Sequence, residues 1–386
     1  MRIKPGVVII EGHVQGLSNA RALGEIGIPI YVVDTQDCVA RHSKYCKDFF
    51  ICPEYDSSEL SDFLIALAKQ EEIQGWLLLP SNDHAVINIS KNKEKLERYY
   101  KVITPEIGII DRICNKEVLL KLALENQISI PDSKFHNDLN INRWGLKFPV
   151  ITKGKKGLSF YKKIGSKALL SNNKKELIDN LELLKKFDLL HDTFTQSIIL
   201  DDGKNKTQSF AAFCVDGNIK TWWVGEKIRE HPIKFGTATF SRSIHNETLQ
   251  KLSTPLIKAL RYTGVCEIEY LKDPVDNEYK LIEINPRTWL WVGLAIECGV
   301  NFPVYIYKYV HNITIQYPKI YKTDVYWRNF WTDLIFSLKY MFKGQFSYFD
   351  YKNSLEKELI YAVKSKSDPT PFKKMLKLLF LRWKRN

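Results

Sequence analysis

The sequence predicts an α/β protein that opens with a doubly wound, parallel-sheet unit and continues into a mixed α+β region. Two stretches carry this. Residues 6–34, GVVIIEGHVQGLSNARALGEIGIPIYVVD, read as a buried strand, a Gly-containing turn, an amphipathic helix and a second strand ending at Asp34. Residues 264–287, GVCEIEYLKDPVDNEYKLIEINPR, read as two alternating strands joined by an Asp-Pro-rich turn. A chain of 386 residues has room for two or three domains and a large core.

The elements follow in order. Gly12 and Gly16 sit where a phosphate-cradling turn would, but their spacing lacks the full dinucleotide fingerprint. A sharp strand-to-helix turn explains them as well. A helix is predicted over Glu59–Lys69, a strand over 75–79, a turn over 80–83 and a helix through Lys91, which puts Ser81 to His84 at the C-terminal end of a strand. Open α/β sheets bind ligands there. Residues 111–135, DRICNKEVLLKLALENQISIPDSKF, read as one amphipathic helix with an extended exit forced by Pro131.

A strand over 148–152 then delivers Lys153 to a loop containing Gly154 and Gly157, and a returning strand reaches Leu170. A lysine leaving a strand beside glycines can meet phosphate oxygens while backbone N–H groups close over them. Lys155 and Lys156 interrupt the loop, so side-chain charge is expected to replace some backbone contacts. A Lys/Glu-rich helix over 174–188 leads to a strand over 193–200 and a turn at Asp201-Asp202-Gly203. A hairpin about 215–218 follows, ending in Lys227, Arg229 and His231. Phe235 to Thr239 carry the small residues of a close backbone approach, and a helix over 247–263 precedes the second hairpin. The apolar run between Gly293 and Gly299 reads as a helix behind it.

The hairpin over 264–287 holds the chemistry. Centred near Asp276, it sets Glu269 opposite Glu283 and Glu267 opposite Asn285, all on one face. Facing carboxylates repel, and burying them costs several kcal/mol unless something positive lies between. A hard divalent cation held by Glu269, Glu283 and Asn285 resolves the conflict, and Mg²⁺ characteristically combines a few such ligands with phosphate oxygens. Arg287 adds a planar fork for a carboxylate or phosphate. The competing reading is the solvated outer face of an ordinary hairpin.

Bulk properties narrow the class. The seven cysteines show no CxxC or Cys/His spacing and read as reduced thiols of a cytoplasmic protein. The N-terminal apolar run is too short for a signal peptide, and no segment reaches membrane-spanning length. A net charge of +13 suits anionic nucleotides or an anionic lipid surface, while no motif supports sequence-specific nucleic-acid binding. The last 75 or so residues, roughly 313–386, are aromatic-rich (Tyr326, Trp327, Phe330, Trp331, Phe336, Tyr340, Phe342) and end in PFKKMLKLLFLRWKRN. On a helical wheel Phe372, Leu376, Leu379 and Trp383 share a side, with Lys373, Lys377 and Lys384 on another. Residues 370–386 therefore either make a peripheral contact with the inner face of the membrane or dock on the protein.

The pairing of CEIEY with LIEINPR resembles the metal-binding end of the ATP-grasp superfamily, and the upstream motifs occur in that family's order through about residue 312. The resemblance implies a Rossmann-like pre-grasp domain (1–110), a two-lobed ATP-grasp domain (111–312) and a C-terminal extension (313–386). It implies ATP with Mg²⁺, or Mn²⁺ in its place, as cofactors. It also implies that Lys116 and Lys153 reach ATP phosphates, that the strand around Gln196, Ser197 and Ile198 meets adenine, and that Lys227 and Arg229 contact the γ-phosphate or an acyl-phosphate that Arg287 steadies. Within the superfamily the chain looks most like carboxylate–amine ligases related to D-aspartate ligase. These activate a carboxylate as an acyl-phosphate and couple it to an amine, here a soluble amino acid or a cell-envelope or polysaccharide precursor. The alternatives are a non-catalytic ATP-binding scaffold and a membrane-surface adaptor. Oligomeric state is not legible.

Overall fold

The computed structural model describes residues 5–136, 144–166, 168–199, 205–233 and 236–383, apart from the side chains of Leu158 and 379–383. The turn at 201–203, Phe235 and Lys384 lie outside the described residues. The chain forms three sheets, an α/β architecture as predicted.

The first sheet is parallel throughout. Its strands are Val7–Ile10 (β1), Ile30–Asp34 (β2), Cys46–Ile51 (β3), Leu77–Pro80 (β4) and Lys101–Val102 (β5), in the order β3-β2-β1-β4-β5. Helices Val14–Gly24 (α1), Glu59–Gln70 (α2), Asp83–Lys91 (α3) and Lys93–Leu96 (α4) cover it. The run of four apolar residues in β1 is a strand buried on both faces: Val7 and Ile9 enter one core cluster, Val8 and Ile10 another. Gly16 is structural, since a Cβ there would lie 2.2 Å from the Glu11 carbonyl oxygen. Asp34 accepts a hydrogen bond from the Gly12 N–H at 2.8 Å, so the first turn is closed by its own carboxylate.

Two helices, Ile107–Cys114 (α5) and Lys116–Glu125 (α6), replace the single helix expected across 111–125. Asn115 leaves the helical region and caps α6, its Oδ1 accepting from the Glu117 and Val118 N–H groups at 3.1 and 3.4 Å. The second sheet comprises Ser133–Phe135 (β6), Val150–Gly154 (β7), Leu169–Ser171 (β8) and Thr193–Ser197 (β9), in the order β6-β9-β7-β8. Gly157–Ile164 (α7) and Lys174–Lys186 (α8) flank it. The segment after Lys153 is thus a helix, not the expected open loop, and a Cβ on Gly154 would lie 2.3 Å from Phe160 Cβ.

The third sheet takes Gln208–Val215 (β10), Asn218–His231 (β11), Thr237–Ile244 (β12), Gly264–Lys272 (β13) and Tyr279–Asn285 (β14), with Glu247–Ala259 (α9) inserted. Val292–Glu297 (α10) and Phe302–Val310 (α11) follow. Tyr326–Arg328 (β15), Phe330–Phe342 (α12), Tyr348–Leu355 (α13), Leu359–Tyr361 (β16) and Thr370–Trp383 (α14) complete the chain. The order is β14-β13-β10-β11-β12-β15-β16, so the C-terminal segment extends the sheet by two strands. Alternation in β10 divides its side chains: Ala211 and Phe213 face the cluster shared with the parallel sheet, Phe210, Ala212 and Cys214 the opposite one.

Helix α14 docks on the protein. Met375 and Leu378 enter the main core and Phe372 stacks on Trp331 at 6.0 Å, whereas Leu376, expected on the apolar side, is exposed. Asp368 anchors the approach to α14. It receives Arg21 Nε at 2.9 Å, Ser43 Oγ at 2.7 Å and the Lys44 N–H at 2.9 Å. Among the described residues no helix is long and apolar enough to cross a membrane.

Candidate active site

The hairpin of β13 and β14 places Glu269 opposite Glu283 and Glu267 opposite Asn285, as its alternation predicts. Toward the tip, Lys272 pairs with Tyr279, one residue short of symmetry about Asp276, because a bulge between Glu269 and Tyr270 absorbs Ile282. Half of the acidic face is buried, with Glu267 2% and Glu269 8% exposed, whereas Glu283 and Asn285 are half-buried.

Lysines from two other elements bond these carboxylates, and a third lies near them. Lys227 on β11 donates to both oxygens of Glu269, at 2.7 and 2.8 Å. Lys116, the first residue of α6, donates to Glu283 Oε2 at 2.8 Å, and its own N–H bonds the Lys155 carbonyl, which ties α6 to the end of β7. Lys153 extends from β7 and donates to Gln196 Oε1 at 3.3 Å, while Gln196 Nε2 donates to Ser133 Oγ at 2.9 Å. The neighbouring N–H groups are engaged within the fold: Ser197 bonds the Asp132 carbonyl and Ile198 the Pro149 carbonyl.

Charge is balanced group by group. Burial and then the neighbouring Glu269 push Glu267 up to about 8. Lys116 holds Glu283 well below the usual carboxylate range. Burial, with Lys116 next to it, lowers Lys153 to about 8. Burial alone would also lower Lys227, but Glu269 and Glu267 outweigh it and hold its ammonium above the ordinary lysine value.

Arg287 and Arg229 are both committed to carboxylates. Arg287 grips Asp83 at 2.8 and 3.0 Å, joining the acidic hairpin to the C-terminal end of β4 through the turn at Ser81 to His84. Arg229 does not join Lys116, Lys153 and Lys227. Two register shifts around it turn the side chain away, and it binds both oxygens of Asp333 on α12 at 2.8 Å and Ser354 Oγ at 3.0 Å. His231 is likewise taken up by α12, with Nδ1 2.8 Å from the Tyr340 hydroxyl. Lys155 pairs with Glu117 at 2.6 Å, so it does not supply the loop charge expected of it.

Glu267 shares the predicted acidic face without being one of the expected ligands, Asp83 falls within the predicted Ser81 to His84 turn without an individual role, and Asp333 has no expected role. Asp83 had a usable signal in its position at a strand's C-terminal end. Asp333, in an apolar aromatic segment, had one in being a lone acid there.

The donor set fits a divalent cation that shares its coordination with phosphate. Glu267 Oε1 is buried without a hydrogen-bond partner, and Lys116 and Lys227 stand as cations against Glu283 and Glu269. Among the described residues no three His, Cys, Asp or Glu side chains converge closely enough to hold a metal by themselves. Two or three protein oxygens beside phosphate oxygens is the usual Mg²⁺ pattern.

Comparison with known proteins agrees with this geometry. Residues 214–296, which span β11 to β14, match the family model described as carbamoyl-phosphate synthase L chain, ATP binding domain. N5-carboxyaminoimidazole synthetase from Staphylococcus aureus superposes with a TM-score of 0.66 at 16% identity, covering 89% of this chain and 87% of that one. The likeness is one of fold. The biotin carboxylase domain of 2-oxoglutarate carboxylase from Hydrogenobacter thermophilus, solved with MgADP, ADP and bicarbonate, gives a TM-score of 0.65 at 14% identity. It covers 84% of this chain and 74% of that one. In sequence, D-aspartate ligase from Enterococcus faecium is 22% identical over 259 residues. The match takes in 61% of this chain and spans only 60% of that relative's length.

Proposed function

We propose that the protein is an ATP-dependent carboxylate–amine ligase. The observation that carries this reading is the convergence of Glu267, Glu269, Glu283 and Asn285 with Lys116, Lys153 and Lys227, drawn from β13, β14, α6, β7 and β11. Mg²⁺, or Mn²⁺ in its place, would be held by Glu269, Glu283 and Asn285 with Glu267 beside them, and when bound it neutralises phosphate charge. Lys153 and Lys116 neutralise the nucleotide's phosphates, and Gln196, Ser197 and Ile198 line the adenine end. Lys227 faces the transferred phosphoryl group. The substrate carboxylate attacks the γ-phosphorus and expels ADP. The amine then attacks the acyl carbon and expels phosphate. These residues act by position and charge, which is where phosphoryl-transfer catalysis lies.

Arg287, fixed by Asp83, lies between the metal hairpin and the parallel sheet, where it steadies the acyl-phosphate facing an acceptor held at the end of β4. Arg229 supports this wall from behind through Asp333. The likeness to D-aspartate ligase supports an amino acid as one substrate, and the basic, aromatic C-terminal segment supports an acceptor carried on a cell-envelope or polysaccharide precursor. The use of ATP and seven unpaired thiols support work in the cytosol.

The test is ADP release with Mg²⁺ over a panel of amino acids paired with carboxylic acids, run beside Glu283→Gln. Acceptor-dependent turnover in the native protein, at least a hundredfold above the variant by the usual cost of losing one electrostatic element (on the order of 10²–10³), supports the ligase. ATP binding without acceptor-dependent turnover would leave a nucleotide-binding scaffold.

A further inference from the structure

Helix α12 is inside out. Its buried residues are polar: Asp333, fully enclosed between Arg229 and Arg328, and Ser337. Its apolar residues Trp331, Ile335, Leu338 and Phe342 recur at spacings of four, three and four, which places them along one helical face. Trp331 packs against the main core, and from Ile335 onward the face points outward, with Ile335 48%, Leu338 43% and Phe342 90% exposed. After five intervening residues α13 begins with Tyr348 and Phe349, which are 63% and 73% exposed and have ring centroids 6.0 Å apart. A buried polar face opposite an exposed apolar one is not how a helix stabilises its own domain, and contiguous exposed apolar surface marks a docking site.

Charge identifies what docks. Residues 331–386 contain twelve Lys and Arg against five Asp and Glu, an excess of seven within a chain whose net charge is +13. Lys339 and Lys343 flank the row on α12. At its start, Phe372 of α14 stacks on Trp331 and brings the exposed Lys373, Lys374 and Lys377 alongside. An apolar row edged by lysines matches an anionic lipid surface, with rings entering the headgroup boundary and ammonium groups meeting phosphates. A second copy of the chain would bring two basic surfaces together.

We infer that the outer face of α12 and the tip between α12 and α13 form a peripheral docking surface for anionic membranes. Helix α14 supplies charge from its docked position and does not insert. No residue of the candidate active site takes part, so this inference is tested without nucleotide and stands or falls apart from the ligase reading.

The experiment is sedimentation of the full chain with phosphatidylglycerol/phosphatidylcholine vesicles and with phosphatidylcholine alone, for the native protein, Phe342→Ser/Phe349→Ser and Phe342→Trp. The expected result is binding to the anionic vesicles only, weakened by high salt. Each ring lost should weaken it about ten-fold. Phe342→Trp should keep binding and shift its fluorescence to the blue on vesicle addition. Circular dichroism checks that the exposed substitutions leave the fold intact. No binding to anionic vesicles, equal binding by the double variant, a Phe342→Trp spectrum unmoved by vesicles, or a Phe342-dependent dimer in their absence would each overturn the inference.

Discussion

Replacing Lys227 by Met removes the ammonium and keeps the length of the side chain. Lys227 Nζ lies 2.7 and 2.8 Å from the two oxygens of Glu269, and the two side chains are 9% and 11% exposed. At such a separation the attraction is about 6 kcal/mol for an effective dielectric near 20. Part of this is returned because the ammonium no longer has to be desolvated. Breaking a buried pair from one side costs about 3–5 kcal/mol, and that is the loss expected here at pH 8. Glu269 then faces Glu283 and neighbours Glu267 without its counter-charge, so protonation of these carboxylates is the way out. Glu267, already pushed up to about 8 and restrained chiefly by Lys227, holds its proton more tightly in the variant, so the loss is full at high pH and shrinks as the pH falls toward 5. Mg²⁺ should restore part of the stability by replacing the missing cation, an effect the native protein shows less. Urea unfolding followed by tryptophan fluorescence, with and without Mg²⁺ at both pH values, measures all three. A loss under about 1 kcal/mol at pH 8, or one that neither acid nor Mg²⁺ relieves, would refute the reasoning that this ion pair balances a metal-binding acidic face.

Two further outcomes follow from the same geometry. Lys153 is lowered to about 8 by burial and Lys116, so it is protonated below that pH and neutral above it. Affinity for metal-free ADP should therefore be level up to about pH 8 and then fall by up to about ten-fold per pH unit. Lys153→Met should remove that dependence, read by nucleotide titration. Asp333→Asn leaves the Arg229 and Arg328 guanidinium groups sharing a neutral partner in the buried joint between β11, β15 and α12. Unfolding measurements should show a loss of about 3–5 kcal/mol.

The parts of the site legible in the sequence were those set by alternation. Glu269 and Glu283 face each other because period-2 patterning fixes which side of a strand each residue takes, and the parallel unit was legible from its short apolar runs broken by glycines. Features decided by a single residue or a tertiary contact were less so. Asn115 splits the expected helix by capping α6, and the bulge at Ile282 shifts the register only beyond the site. The stretch after Lys153 looked like a loop because its glycines and lysines resemble one, yet Phe160 packed against Gly154 draws it into α7. Arg229 keeps its place in the sequence series of basic residues, but irregularities in β11 turn it toward Asp333. The apolar side of the last helix was drawn through Leu376, whereas the core selects Met375 and Leu378. The apolar surface that stays exposed belongs to α12, whose aromatic content was visible but whose orientation depends on where Asp333 finds its arginines.

If the lysines and carboxylates gathered at the β13–β14 hairpin drive transfer of the γ-phosphoryl group to a carboxylate, oxygen-18 followed from a labelled carboxylate substrate identified in the ADP-release panel will report it. An acyl-phosphate route delivers one labelled oxygen into inorganic phosphate at each turnover, with ADP as the nucleotide product. Unlabelled phosphate, or AMP and pyrophosphate in place of ADP, would contradict it.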